Sequence, residues 1–323
     1  MYLKQQAIEL MNEWGRQNKP FLFIIDFGMK KILLFPLDAI PVNILFDIKG
    51  IAKPNYPSAE GSSFSFEPKP IPFEKYLHAF KIVQRELNYG NSYLLNLTFA
   101  TELDTNLDLK TIFYRSHAPY KLLVEPDFVL FSPETFVRIE RGVISSYPMK
   151  GTIDASIPNA RAILLNDLKE KAEHATIVDL IRNDLNQIAS DVRVAKYRYI
   201  EKVNTCKHTL LQVSSKIEGK LPFNYTEQLG DLFFSLLPAG SISGAPKKKT
   251  IEIIEETETE ERGYYTGVFG VYDGINLDSS VMIRFIEQQN AKLVFKSGGG
   301  ITSQSNARAE YQELIDKVYV PIV

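Results

Sequence analysis

Strand-like runs interrupted by helical blocks predict an α+β fold, and three features of the sequence carry that expectation. Apolar runs of strand length, 21–27 and 31–35 among them, are joined by turn residues rather than by helices. A long block, 159–189, keeps helical spacing with no strand-like alternation. No short repeat period recurs, which argues against solenoids and propellers.

In chain order, Leu3, Ile8, Leu10, Met11 and Trp14 lie at helical spacing, and the two apolar runs that follow read as a hairpin through Gly28. Residues 53–72 hold five prolines and four serines and read as a loop. An amphipathic helix is expected over 72–87, then a strand over 92–100 and a helix over 107–115. Four short strands follow at 120–124, 128–131, 135–140 and 143–147, and Lys150 closes that sheet. After the helical block, strands are expected at 194–203 and 209–217 and helices at 226–236 and 247–256. The tail alternates strands at 267–272, 280–285 and 292–295 before a last helix over 306–318.

The chain has 323 residues, 45% of them hydrophobic and 24% charged, which is the composition of a soluble globular enzyme. A formal charge of −2 leaves no basic field for nucleic acid and no polybasic block for an anionic membrane. The single cysteine, Cys206, forms no internal disulfide, and the charged N-terminus is neither a signal peptide nor a membrane span, so a cytoplasmic location is expected.

Several stretches are candidates for chemistry. Lys150, between Pro148 and Gly151-Thr152, is a candidate nucleophile, because burial or a cationic neighbour lowers an amine's pKa; otherwise it is a lysine at a strand end with its head in water. Glu170 with Glu173, and Glu310 with Glu313, are each three apart on a helix and so share a face. If the two helices meet in a cleft, four carboxylates suit Mg²⁺; if not, each pair is a solvated acidic face. Ser297-Gly298-Gly299-Gly300 reads as an anion-cradling turn between a strand and a helix, or as a surface turn. The loop Pro238–Pro246, with Ser243 and Gly244, precedes a helix whose first turn holds Lys247, Lys248 and Lys249, where basic residues oppose the helix dipole.

Taken together, these blocks resemble the chorismate-utilising enzymes, the family of the anthranilate synthase large subunit, aminodeoxychorismate synthase component I, and the isochorismate and salicylate synthases. The resemblance runs from about residue 73 to the C-terminus. It is carried by Gly90-Asn-Ser-Tyr-Leu-Leu-Asn-Leu-Thr98, Ser132-Pro-Glu134, Tyr147-Pro-Met-Lys-Gly-Thr152, Glu173-His174, Val178-Asp-Leu-Ile-Arg-Asn-Asp184, Pro238–Pro246, Arg262-Gly-Tyr-Tyr265, Ile283-Arg284 and 298–313. It implies one chorismate-binding domain over 1–323, with a shortened, divergent part over 1–72 and a catalytic core over 73–323. Two antiparallel sheets would flank a central cleft, with helices around them.

The resemblance further implies Mg²⁺ held by Glu173 and Glu313 with support from Glu170 and Glu310, bridging to the ring carboxylate of chorismate. Arg284 and Tyr265 would meet the enolpyruvyl carboxylate, with Gly298, Gly299, Gly300 and Lys317 completing the anion sites. Thr152, Gln212, Ser243 and Gly244 are further substrate-binding candidates. The complete Pro-x-Lys-Gly-Thr motif is similar to that of aminodeoxychorismate synthase component I, in which the lysine forms a covalent intermediate and ammonia displaces it. Glu134 matches the general acid that protonates the departing hydroxyl. Leu94 stands where water-using members have a lysine base, which argues against isochorismate or salicylate synthesis. Gln212 replaces the usual histidine, and Asn306-Ala-Arg308 replaces Asp-Pro-Glu. The short N-terminal part makes regulation by tryptophan unexpected. With Cys206 in no glutaminase context, ammonia from glutamine would need a separate amidotransferase subunit (component II). The expected function is conversion of chorismate and ammonia to 4-amino-4-deoxychorismate, feeding 4-aminobenzoate and folate synthesis. The alternatives are an anthranilate synthase-like enzyme and a catalytically silent chorismate-binding subunit.

Overall fold

The computed structural model describes residues 1–53, 64–204 and 209–322. Helix α1 (Lys4–Arg16) leads into the hairpin β1 (Phe21–Ile25) and β2 (Ile32–Pro36), then β3 (Ile44–Ile48), β4 (Ile51–Lys53) and β5 (Phe66–Lys69). Next come α2 (Phe73–Asn88), β6 (Leu94–Thr105), α3 (Leu109–Arg115) and the strands β7 (Tyr120–Val124), β8 (Phe128–Ser132), β9 (Thr135–Glu140), β10 (Val143–Ser146) and β11 (Met149–Asp154). The centre holds α4 (Ala160–Asn166), α5 (Leu168–Asn186), β12 (Ser190–Asn204), β13 (Thr209–Lys220), α6 (Leu229–Ser235), α7 (Gly240–Ser243), β14 (Gly244–Ala245) and α8 (Lys247–Thr257). The tail is β15 (Val268–Tyr272), β16 (Leu277–Val281), β17 (Phe285–Gln289), β18 (Lys292–Ile301) and α9 (Ala307–Asp316).

Among the described residues the strands form two sheets. One runs β11-β13-β10-β9-β16-β15-β1-β2, with β12 also on β13; the other runs β14-β6-β18-β17-β8-β7-β3-β4, with β5 also on β6. Residues 1–72 therefore supply strands to both sheets. The run Phe-Leu-Phe-Ile-Ile of β1 explains the layering, because all five side chains are buried. Phe21, Phe23 and Ile25 pack with Ala7, Met11 and Phe233 on the helical side, while Leu22 and Ile24 pack with Leu122, Phe128 and Phe285 of the second sheet. A strand covered on both faces reads as a continuous apolar run rather than an alternating one.

Several boundaries move. The helical block 159–189 is two helices, because Asp167 ends α4 and caps α5 by accepting a hydrogen bond from Glu170 N at 2.9 Å. Part of the expected loop 53–72 is strand: β5 pairs with β6, and 54–63 lie outside the described residues, as do Cys206 and His208. The strand expected at 280–285 is the junction of β16 and β17. Lys150 does not follow the sheet but sits inside β11, paired with Val213 beside a bulge. Among the described residues no helix is long and apolar enough to cross a membrane.

The loop before α8 is also more structured than expected. It contains α7 and then β14, whose Gly244 pairs with Leu95. Gly244 has φ +131, and a Cβ there would lie 1.9 Å from Leu94 O. Gly244→Ala is expected to lower unfolding free energy by about 3 kcal/mol, since strain and clash act together. Denaturant unfolding would check this.

Candidate active site

Two glutamate pairs and two lysines line the region where β11, α5, β18 and α9 come together. Lys150 Nζ donates to Glu173 Oε2 at 3.0 Å, and the two side chains are only 25% and 9% exposed. A Cβ built on Gly300 would lie 3.6 Å from Lys150 Nζ, and one on Gly151 would lie 3.3 Å from Glu170 Oε2. On the neighbouring position of β18, a Cβ on Gly299 would lie 3.7 Å from Glu310 Oε2, 3.8 Å from Glu313 Oε1 and 3.9 Å from Lys317 Nζ. Gly151, at φ +78 and tight against Glu170, requires glycine, whereas a Cβ at 299 or 300 would make ordinary contact with these polar groups.

The glycines are strand, not a turn. Residues 298–301 pair with 95–98 of β6, whereas β17 pairs β18 only as far as Lys296. Beyond Lys296 the strand has no β17 partner on that side. Lys317 Nζ donates to Gly298 O at 2.8 Å and to Glu313 Oε1 at 2.7 Å.

The sequence-based expectation that Lys150 has a lowered pKa does not hold in this state. Burial works to lower it, but Glu173, Glu313 and Glu170 raise it further, and the net direction is up. Lys317 goes the other way, because burial outweighs Glu313, with Lys150 and Arg284 adding repulsion. Burial raises the Glu134 carboxyl above the usual carboxylate range, against the pull of the Ser241 hydrogen bond, Lys150 and Lys317. Arg284, lowered chiefly by burial, lies over the Tyr319 ring at 4.5 Å and donates to Lys317 O. Burial also raises Tyr265, partly offset by Arg262 and, less, by Arg284.

The structure brings together Lys150, the four glutamates, Gly299, Gly300 and Lys317, with Glu134 and Arg284 within electrostatic reach. Thr152 is exposed and pairs with Gln212 across β11 and β13. The Ser243 hydroxyl is buried and donates to Ala239 O at 2.8 Å. Lys247 pairs with Asp184 at 2.8 Å, and Lys249 pairs with Glu252. Sequence reasoning missed Ser241, whose Oγ donates to Glu134 Oε1 at 2.7 Å. The contact spans 107 positions, and no local spacing signals it.

The donor chemistry of the four glutamates fits a hard cation such as Mg²⁺. Among the described residues no three His, Cys, Asp or Glu side chains converge as a ligand set.

A family model described as chorismate binding enzyme matches residues 42–322. The chain belongs to the chorismate binding enzyme family. The match begins well before residue 73 and so takes in β3 to β5. An "Uncharacterized PabA-like protein" of Haemophilus influenzae is 52% identical over 319 residues, 98% of this chain and 97% of that protein. "Aminodeoxychorismate synthase component 1" of Escherichia coli K12 is 34% identical over 262 residues, which is 76% of this chain but 56% of that protein. Anthranilate synthase component I from Streptococcus pneumoniae superposes with a TM-score of 0.65 at 28% identity, covering 79% of this chain and 59% of that one. A "putative 2,3-dihydroxybenzoate-specific isochorismate synthase" from Bacillus anthracis shares the fold, with a TM-score of 0.71 at 18% identity over 98% of this chain and 86% of that one.

Proposed function

We propose that this chorismate-binding enzyme is component I of an aminodeoxychorismate synthase, converting chorismate and ammonia to 4-amino-4-deoxychorismate and water. The supporting observation is Lys150: its amine is half-buried, faces Gly300, and lies within electrostatic reach of the Glu134 carboxyl. An enzyme that only binds chorismate has no need of such an amine near a raised-pKa acid.

In this reading Arg284, Lys317, Tyr265 and the 298–300 backbone receive the carboxylates of chorismate. Glu173 and Glu313, with Glu170 and Glu310, would hold Mg²⁺, which would neutralise the ring carboxylate that these glutamates otherwise repel. When Glu173 turns to another partner, burial acts on Lys150 without its counter-charge and frees the amine. Lys150 Nζ then attacks the ring carbon next to the carboxylate-bearing one, and the ring hydroxyl leaves as water with a proton from Glu134. Ammonia bonds to the vacated carbon and the bond to Lys150 breaks. The proton that Lys150 sheds on bonding restores Glu134, and the proton shed by the incoming nitrogen goes to Lys150 as its bond breaks. The ammonia would come from free ammonium or from a glutamine amidotransferase subunit, and the product would feed 4-aminobenzoate and folate synthesis.

The test is incubation with chorismate, Mg²⁺ and an ammonium salt, followed by an aminodeoxychorismate lyase. Formation of 4-aminobenzoate that requires the lyase is the expected result. Anthranilate would assign the chain to the sister amination, and saturable chorismate binding without turnover would make it a silent subunit.

A further inference from the structure

The main chain of Glu134 is held without any help from its side chain. Glu134 N donates to Ser132 Oγ at 3.1 Å, and Ser280 Oγ donates to Glu134 O at 2.7 Å. Neither bond fixes the direction of the carboxyl. Glu134 lines a small pocket whose walls also include Phe136, Ser146, Ile181, Leu236 and Ser241.

The short turn α7 lines the same pocket and is anchored on several sides. Ser243 Oγ bonds back to Ala239 O, and Arg262, paired with Glu258 at 2.7 Å, donates to Ile242 O at 2.9 Å. A Cβ on Gly240 would lie 3.0 Å from Asp184 Oδ2. Gly240, Ile242 and Ser243 are all buried. Ser241 differs from Ser243, since its hydroxyl reaches out of the turn to Glu134 Oε1 at 2.7 Å. A serine that served only the turn would bond back to a carbonyl, as Ser243 does.

We infer that Ser241 is a positioning residue for Glu134, holding one carboxyl oxygen so that the acid proton is carried on the other. The inference deepens the proposed reaction and rests on its use of Glu134 as the acid. Loss of the contact frees the carboxyl to leave this rotamer, and displacement of an acid by an ångström is worth up to about a hundredfold in rate. The charged groups that bear on Glu134 are Lys150 from β11 and Lys317 after α9, with the Asp184–Lys247 pair at the far wall. None of them replaces a fixed hydroxyl.

The test compares wild type, Ser241→Ala and Ser241→Thr by steady-state kinetics and by carbon NMR titration of the Glu134 carboxyl in the ligand-free protein, with Glu134→Gln identifying the resonance. Ser241→Ala is expected to lower kcat about ten- to a hundredfold while KM for chorismate stays within about twofold. Glu134 titrates at higher pH in Ser241→Ala, because a hydrogen bond favouring the charged form is gone. Ser241→Thr restores both readouts. An unmoved Glu134 titration in Ser241→Ala overturns the inference, as does a raised KM with unchanged kcat. If wild type itself produces no aminated product, the proposed reaction fails, and the titration alone decides whether Ser241 holds Glu134.

Discussion

Lys150→Ala is expected to reduce amination of chorismate at least about a thousandfold, because a nucleophile that forms the covalent intermediate has no substitute. Intact-protein mass spectrometry of the wild type with chorismate but without ammonium should show a gain of one chorismate less one water, absent from the variant. Lys150 also has an electrostatic role, since it balances Glu173 at 3.0 Å and lies in the field of Glu313 and Glu170. Alanine leaves those carboxylates to repel one another, so the variant should also melt at a lower temperature. Lys150→Arg separates the two roles. A guanidinium keeps the charge but is not deprotonated in a protein, so the melting temperature should recover while activity stays at the alanine level. Substantial turnover by Lys150→Arg would rule out the covalent step and leave lysine as a charge alone.

The periodicity of the sequence made most elements legible, and for a physical reason. In β1 and in α2, with Tyr76, Phe80, Val83 and Leu87 buried, the same apolar pattern that forms the element also places it against the core. The glycines at 298–300 were misread because glycine marks both turns and places where other groups approach a backbone closely. Here β6 pairs with them along one edge, and Glu310, Glu313, Lys317 and Lys150 crowd the rest. The two glutamate pairs could be placed on helical faces from their spacing, but their approach to Lys150 depends on how α5 and α9 pack. That packing is a tertiary property. It also reverses the expected shift of Lys150, because sequence shows the lysine but not the three carboxylates beside it.

Glu134→Gln should cost about 10²–10⁴-fold in kcat, since glutamine keeps the size and one acceptor but has no acidic proton to give. The pH dependence is the sharper readout. The reactive form pairs a neutral Lys150 with a protonated Glu134, so the wild-type rate should rise and then fall with pH. Both groups titrate above their ordinary values in the ligand-free protein, Lys150 through its carboxylate neighbours and Glu134 through burial. The raised Glu134 pKa keeps the acid protonated to higher pH than a solvated carboxylate would be. In Glu134→Gln the residual rate should keep the rising limb and lose the fall, because only the lysine still titrates. Stability gives an independent check of sign. A carboxyl whose pKa is raised on folding contributes stability that is fully present below its unfolded pKa and is lost as pH rises through its folded pKa. Glutamine removes that dependence, so the variant should gain stability relative to wild type as pH increases through this window. If the high-pH fall in rate survives the substitution unchanged, another group supplies the proton.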